Sequence, residues 1–282
     1  MAVDGTNDPT LPPTLVIKLG GEVLAGDAPE RLAPDLRALL ARGAGVVLVH
    51  GGGPQVSQMQ ARLGLPTRKI GGRRVTDDAT LDVLKMVVAG RLNADLCARL
   101  SASGVPAVGL SGASAHAVLA KKRPPGVVAG GGPEPIDFGH VGDVVGINAR
   151  LFETLLGAGF VPVVACLGAS REGALFNINA DTVANQLSAA LCAAHLFLVT
   201  YVVGVLRDVN DPASRIERLS AAEARRAIAD GTIQGGMVPK VEEALAVLQK
   251  GVGAIHIVGE VGVGDLVREL VSAGAVGTAL TR

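Results

Sequence analysis

The feature that most constrains the fold of this chain is a short apolar run, residues 46–49, that is followed by His50 and three glycines, Gly51, Gly52 and Gly53. An apolar run without alternation is typical of a parallel strand that is buried on both faces. Open α/β sheets bind their ligands at the carboxyl ends of such strands. Because the next residue is a proline, which suits the first turn of a helix, the glycines are expected to leave bare N–H groups at a helix N-terminus. The run therefore predicts an α/β fold with an anion site after this strand, although an ordinary strand-to-helix turn remains the alternative.

A second apolar run, residues 15–21, also ends in paired glycines, but it carries a lysine inside the predicted strand. An ammonium group in a buried strand is costly unless an anion meets it. Lys18 is therefore the first residue for which we predict a function.

Composition excludes several classes of function. The chain has 282 residues, with 26 Lys and Arg against 26 Asp and Glu, so it lacks the basic surface of a nucleic-acid-binding protein. One Tyr, five Phe and no Trp leave little for base stacking. Apolar residues never run to the length of a membrane span, and the three cysteines have no metal-ligand spacing. Residues 1–13 contain three prolines and Gly5 and predict a disordered tail that is neither a signal nor a transit peptide, which indicates a cytoplasmic protein.

Apolar runs and helical periodicities alternate along the chain, which predicts strands separated by helices around a mainly parallel sheet. Helices are predicted at 32–40, 54–63, 77–100, 148–157, 220–230, 240–248 and 266–270, and later strands at 105–110, 163–166, 196–200, 254–258 and 277–280. Between these, short β-like pieces at 117–120, 127–129 and 141–145 surround a Gly- and Pro-rich tract. We interpret this segment as a hairpin excursion over the site.

Two polar motifs follow predicted strands or loops. Arg73 and Arg74 are adjacent, and a guanidinium fork binds a carboxylate or a phosphate, although a solvated charge is an equal alternative for Arg73. Asn177, Asn179 and Asp181 alternate directly before a helix. One of them suits a helix cap, but three polar residues are more than capping requires.

A second lysine, Lys240, lies in the first turn of a helix that begins with Gly235 and Gly236. With this motif, the chain resembles the amino-acid kinase family. Segments 17–21, 50–53, 74–76, 177–181 and 235–240 occur in the family's order and spacing, and the resemblance extends from residue 14 to residue 281.

The resemblance is to the branch of the family that phosphorylates the side-chain carboxylate of N-acetylglutamate in arginine biosynthesis. It implies a three-layer αβα sandwich with a mainly parallel central sheet, shared by two lobes. Residues 14–194 are expected to bind the acceptor and residues 195–282 the nucleotide. A carboxylate acceptor is ionised at neutral pH, so such a reaction requires alignment and positive charge but no general base.

The resemblance also implies roles for individual residues. Lys18 and Lys240 would neutralise the transferring phosphoryl group, and Asp181 would orient both lysines. Gly20 and Gly21 would hold the β- and γ-phosphates of ATP, and Mg²⁺ is expected to come with the nucleotide and to have no protein ligands of its own. The acceptor site would consist of Gly52, Gly53, Arg74, Asn177 and Asn179. The rest of the nucleotide site would consist of Tyr201, Gly204, Val205, Leu206, Thr232, Ile233 and Gln234.

Two alternatives remain open at this point. A kinase of the same family that acts on N-acetyl-aminoadipate, or on its carrier-linked form, would keep the lysines and the glycines. A non-catalytic sensor would keep the fold, and Tyr201, which stands where the family usually has Asp, is the residue that favours it.

The resemblance also bears on assembly. Arginine-inhibited family members form hexamers through an N-terminal helix, and the prolines of the predicted tail disfavour such a helix here. The helix predicted at 77–100 offers more apolar surface than one sheet needs, through Leu81, Leu84, Val88 and Leu92. We therefore expect a homodimer that arginine inhibits weakly or not at all.

Overall fold

The structure is a computed structural model and describes residues 13–24, 26–128 and 130–282. The strands are β1 (Thr14–Leu19), β2 (Gly45–His50), β3 (Lys69–Ile70), β4 (Arg73–Arg74), β5 (Ala107–Leu110), β6 (Val118–Lys122), β7 (Gly142–Ile147), β8 (Val161–Ala165), β9 (Leu167–Ala169), β10 (Leu175–Asn177), β11 (His195–Val199), β12 (Arg218–Ser220), β13 (Ala254–Val258) and β14 (Thr278–Thr281). The α-helices are α1 (Ala28–Ala41), α2 (Gly53–Arg62), α3 (Asp78–Leu84), α4 (Asn93–Ala102), α5 (Ala149–Gly157), α6 (Ala180–Ala190), α7 (Ala221–Ala229), α8 (Met237–Gln249) and α9 (Asp265–Val271). Within these ranges, no helix has both the length and the apolar composition needed to cross a membrane.

The central sheet has eight strands in the order β12-β14-β13-β11-β1-β2-β8-β5. Neighbouring strands are parallel except for β13 and β14. The prediction of a mainly parallel sheet is therefore confirmed. Strands β1 and β2 are neighbours, with Leu19 opposite His50, so the two glycine turns leave the same edge of the sheet side by side.

Side chains of β1 alternate between two buried cores, one on each face of the sheet. Leu15, Ile17 and Leu19 pack with apolar residues of α1, α4 and α9. Val16 packs on the other face, in the core that receives α2, α5, α6 and α8. Lys18 points to that second face because it follows the same alternation. Helices on both faces confirm the three-layer arrangement.

The helix predicted as continuous over 77–100 is interrupted. Asp77 caps α3 by accepting a hydrogen bond from Thr80 N at 2.8 Å, and a π-helical segment, residues 85–92, then leads into α4. Leu84 belongs to the core on the Lys18 face, whereas Leu96 belongs to the core on the opposite face. The wider π-helical turn lets the apolar side of this helix change from one face of the sheet to the other.

The apolar face on which the dimer expectation depended is covered by the chain itself. Leu81, Leu84 and Val88 are buried, and Leu92 is half-buried against the same core. In the π-helical segment, the large apolar side chain of Met86 is exposed.

The segment interpreted as a hairpin excursion contains β6 and β7, which are antiparallel as predicted. They belong to a second sheet with the order β10-β9-β6-β7, which the sequence did not predict. The β-like piece predicted at 127–129 is wrong for Val127 and Val128, which lie outside the strands, and residue 129 is outside the described residues. Apart from Pro13, the predicted disordered tail also lies outside the described residues.

Candidate active site

A pocket of about 440 Å³ opens where β1 and β2 end. It brings together eight of the predicted site residues, which are Lys18, Gly20, Gly21, Gly52, Gly53, Arg74, Asn177 and Asn179. Its apolar wall is formed by Leu84, Val88, Phe138, Val141 and Ile178. The sequence motifs that are far apart along the chain therefore converge on one site.

Two lysines share one carboxylate beside this pocket. Lys18 Nζ, at the end of β1, lies 2.8 Å from Asp181 Oδ1, and Lys240 Nζ, in the first turn of α8, lies 3.7 Å from Asp181 Oδ2. Burial raises the pKa of Asp181, but the charges of Lys18 and Lys240 outweigh burial, so the pKa lies below its ordinary value. The three groups together carry a net positive charge, which suits an anion between the two ammonium groups.

The asparagines of the 177–181 motif have different partners. Asn179 is the N-cap of α6, because its side chain accepts a hydrogen bond from Asp181 N at 3.0 Å. Asn177 Nδ2 donates to Thr76 Oγ1 at 3.0 Å. Asn179 thus fixes the first turn that carries Asp181, while Asn177 joins the β10 end of the motif to the loop after Arg74.

The glycine turns present N–H groups to the pocket. In the part of the chain that the structure describes, the N–H groups of Gly21, Gly52 and Gly53 have no hydrogen-bond acceptor. Gly20 N differs, because it donates to Val199 O at 3.2 Å. Gly21 O, in contrast, accepts from Gln55 Nε2 at 2.7 Å. Free N–H groups with engaged carbonyl oxygens make these turns attractive to anions.

Close contacts restrict side chains at two of these three glycines. A Cβ atom on Gly21 would lie 2.9 Å from Pro54 Cδ and 3.2 Å from Gly52 Cα. On Gly52 it would lie 2.6 Å from Leu92 Cδ1. Gly53 is different, because no atom lies within 4 Å of the position of its Cβ.

Arg74 connects its own loop to the start of α2. Its Nη2 donates to Gly53 O at 2.9 Å and to Ser57 Oγ at 2.7 Å, and its Nη1 donates to Gln60 Oε1. Burial lowers the pKa of Arg74, although a guanidinium stays protonated in proteins. A fixed, half-buried positive charge therefore lies beside the glycine turn that follows β2.

Four charged residues of the pocket were not predicted or were left open. Arg73, which was left open, lines the pocket together with Lys69, Arg123 and Glu243. Arg123 is paired with Asp143 at 2.7 Å. Burial, and next the charge of Asp181, raises the pKa of Glu243. Lys69 could have been found from its place in the arginine loop, and Glu243 from its position one helical turn after Lys240.

The residues predicted to hold the rest of the nucleotide do not line this pocket. Tyr201, Gly204, Val205 and Leu206 lie after β11, and Thr232, Ile233 and Gln234 lie between α7 and α8. Tyr201 is 77% exposed, whereas Val205 and Ile233 are buried. The N–H of Val205 donates to Thr278 Oγ1 at 2.8 Å, and the N–H of Ile233 donates to Ala227 O at 2.8 Å. Both segments therefore lie outside the pocket, and we refer to them together as the second group.

Carboxylates near the pocket are few. Among the described residues, no group of three or more His, Cys, Asp and Glu side chains is placed to hold a metal ion. Asp181 is already engaged by both lysines. The donor set therefore fits a cation that is bound mainly by a ligand's own phosphates.

The chain is similar to known proteins in both sequence and structure. The profile of the Amino acid kinase family matches residues 13–259. The acetylglutamate kinase of Sorangium cellulosum (strain So ce56) is 56% identical over 266 residues, which cover 94% of each chain. That of Anaeromyxobacter dehalogenans (strain 2CP-C) is 55% identical over 267 residues, which cover 95% of this chain and 99% of the relative. N-acetylglutamate synthase from Neisseria gonorrhoeae, complexed with coenzyme A and N-acetyl-glutamate, is similar in structure with a TM-score of 0.80 and 27% identity, covering 97% of this chain and 61% of that chain.

Proposed function

This chain belongs to the amino acid kinase family, and from this premise we propose that it transfers the γ-phosphoryl group of ATP to the side-chain carboxylate of N-acetyl-L-glutamate. The product is an acyl phosphate, an intermediate of arginine biosynthesis. The observation that carries the proposal is the pair of lysines on Asp181, at 2.8 and 3.7 Å, beside two glycine turns with free N–H groups.

Phosphoryl transfer to a carboxylate depends on charge and alignment. The acceptor oxygen attacks phosphorus without losing a proton, so no general base is needed. Charge spreads over the oxygens of the transferring group in the transition state. Lys18 and Lys240 approach this charge from β1 and α8, and Asp181 keeps both ammonium groups in place before the substrates arrive.

The acceptor is bound on the β2 side of the pocket. The N–H groups of Gly52 and Gly53 donate to the reacting carboxylate, and the position of Arg74 beside Gly53 suits the second carboxylate. Asn177 and Asn179 also line the pocket, where an amide can pair with the acetamido group.

The nucleotide is bound on the β1 side. The N–H of Gly21 donates to the phosphates, and Gly20 lets them approach the main chain. We assign the adenosine to the second group, which consists of residues 201–206 after β11 and residues 232–234 between α7 and α8. With this assignment, residues 195–282 form the nucleotide lobe and residues 14–194 the acceptor lobe. Mg²⁺ bound to the phosphates supplies further positive charge. We also propose that the protein acts as a homodimer.

The test is a coupled assay of ADP release with N-acetylglutamate or with N-acetyl-aminoadipate, which is one methylene longer. We expect kcat/KM to be about 10-fold or more higher for N-acetylglutamate, because a pocket discriminates about 1–3 kcal/mol per methylene. Trapping with hydroxylamine identifies the acyl phosphate. A preference for the longer acceptor would indicate the aminoadipate kinase, and binding without turnover would indicate a sensor. The names of relatives that are 55–56% identical to this chain favour neither the aminoadipate kinase nor the sensor.

A further inference from the structure

His50 is a fully buried side chain that the proposed chemistry does not use. It ends β2, directly before the glycine turn that binds the acceptor. Val46 and Leu48, which share its face of the sheet by alternation, belong to the core on the side away from Lys18. The imidazole therefore lies behind the turn, on the other side of the sheet from the reacting groups.

The contacts of His50 define its protonation state. Its Nδ1 lies 2.9 Å from Gly51 O, and because a carbonyl oxygen only accepts, Nδ1 carries the proton. Its Nε2 lies 3.0 Å from Asn93 Nδ2, which also donates to Val163 O at 2.9 Å, so Nε2 is the acceptor. Burial lowers the pKa of His50, which favours this neutral form.

This hydrogen bond fixes the orientation of a peptide group. In a trans peptide the C=O and the following N–H point in opposite directions, and no cis peptide occurs among the described residues. Because Gly51 O is held on the His50 side, the N–H of Gly52 points to the Lys18 side. The same N–H is one of those that have no acceptor in the described part of the chain.

The peptide would be free to turn without this contact. It joins two glycines, which lack the Cβ atoms that restrict other residues. A rotated Gly51–Gly52 peptide would present its carbonyl oxygen to the acceptor carboxylate, and the two would repel each other.

We propose that His50, held by Asn93, is a positioning residue that keeps the Gly52 N–H directed at the acceptor carboxylate. This inference rests on the proposed function, since it assigns the Gly52 turn to N-acetylglutamate and the Gly21 turn to ATP. It predicts that the loss of His50 weakens the binding of N-acetylglutamate and leaves the binding of ATP unchanged.

The experiment compares His50→Leu, which removes the donor, with His50→Asn, whose Nδ2 can donate from the position of Nδ1. His50→Leu is expected to raise the KM for N-acetylglutamate at least 10-fold and to change the KM for ATP less than twofold. His50→Asn is expected to restore most of the acceptor affinity. Asn93→Ala removes the hydrogen bond to His50 Nε2 and is expected to raise the KM for N-acetylglutamate by a smaller factor. If His50→Leu does not fold, Asn93→Ala tests the inference in its place.

Ile17→Val is the control for a structural effect. It removes a methylene from the same buried core, on the strand next to His50, without touching either turn. It is expected to lower the thermal midpoint while both KM values stay unchanged. An equal change in both constants, or no change, in His50→Leu or Asn93→Ala would overturn the inference.

Failure of the proposed function has a different signature. If the wild-type protein does not phosphorylate N-acetylglutamate, the function fails by itself. Calorimetric titration of N-acetylglutamate into the wild-type, His50→Leu and His50→Asn proteins then tests the positioning role. Equal affinity in all three, or binding to none, would contradict it.

Discussion

At the scale of single residues, the site is organised around one carboxylate, Asp181, that contacts two lysines. Lys18 is almost fully buried and lines the pocket, and its counter-ion Asp181 also contacts Lys240. Lys18 lies on strand β1 and Lys240 on helix α8, so the position of each lysine depends on the other only through the shared carboxylate. Their effects on catalysis can therefore be measured separately.

We expect Lys18→Ala and Lys240→Ala each to lower kcat about 100-fold or more while changing either KM only a few fold, because the charges act mainly on the transition state. Steady-state kinetics measure both constants. Lys250→Ala, an exposed lysine at the end of the same helix as Lys240, is the matched control and should leave kcat unchanged. A lysine variant of the site with normal kcat would remove that residue from the mechanism.

Gly53→Ala separates binding from folding. A Cβ atom at this position meets no protein atom within 4 Å, so we expect the free energy of unfolding to stay the same or to rise by about 0.5–1 kcal/mol. The added methyl group lies where the acceptor carboxylate is proposed to bind, so the KM for N-acetylglutamate should rise about 10-fold. Gly157→Ala, at an equally open position in α5, should have the same effect on the free energy of unfolding and should leave the KM for N-acetylglutamate unchanged.

Tyr201 tests the assignment of the nucleotide group. Because its side chain is 77% exposed, Tyr201→Asp is not expected to disturb folding. We expect it to change the KM for ATP and to leave the KM for the acceptor unchanged. The reverse result would place the turn after β11 outside the nucleotide site.

At the scale of secondary-structure elements, the central sheet was predictable and the second sheet was not. The short apolar runs at residues 46–49 of β2 and 163–165 of β8 are typical of parallel strands that are buried on both faces. Strands β9 and β10 have three residues each, too few to show a period, and β9 joins the second sheet through the distant pair Leu119 and Ala169. The π-helical segment escaped prediction because its apolar spacing is compatible with an ordinary helix.

The same distinction applies to the site. Lys18 and Arg74 could be predicted because charge beside a glycine turn is visible in the sequence. Arg123 could not be placed, because its position depends on how the chain after β6 packs around the pocket. The orientation of the Gly51–Gly52 peptide likewise depends on Asn93, which is distant in the chain.

Glu269 holds the turn that connects α9 to β14. Its carboxylate is fully buried and accepts hydrogen bonds from the N–H groups of Gly274, Val276 and Gly277, at 2.7, 2.7 and 3.1 Å. His256 Nδ1 lies 2.9 Å away. Burial raises the pKa of Glu269, but these hydrogen bonds, first that of His256, lower it to about 2.

We expect Glu269→Gln to lower the free energy of unfolding by about 3 kcal/mol at pH 7. A carboxylate with a lowered pKa stabilises the fold above its unfolded pKa of 4.5, and this contribution is lost as the pH falls toward 2. The difference between the variant and the wild type should therefore shrink between these pH values in denaturant titrations. Glu260→Gln, in an exposed ion pair with Arg31, should have little effect at any pH.

At the scale of the whole molecule, the prediction concerns assembly. Most apolar side chains of the segment from Leu81 to Leu92 pack inside the chain, and Met86 is left exposed for a second copy to cover. We expect light scattering to give the mass of two chains, and arginine to inhibit weakly or not at all. A mass of six chains, or strong inhibition by arginine, would contradict this expectation.

The close approach of the two glycine turns has a consequence for how such an enzyme can acquire a new acceptor. A Cβ atom on Gly21 would meet Pro54 and the backbone of Gly52, and one on Gly52 would meet Leu92, so substitution at these two positions is sterically restricted. The apolar wall that includes Phe138 and Val141 belongs to the loop and strands of the excursion and tolerates changes in size more readily. Natural divergence and laboratory libraries are therefore expected to find altered acceptors through substitutions in the wall and to leave Gly21 and Gly52 unchanged.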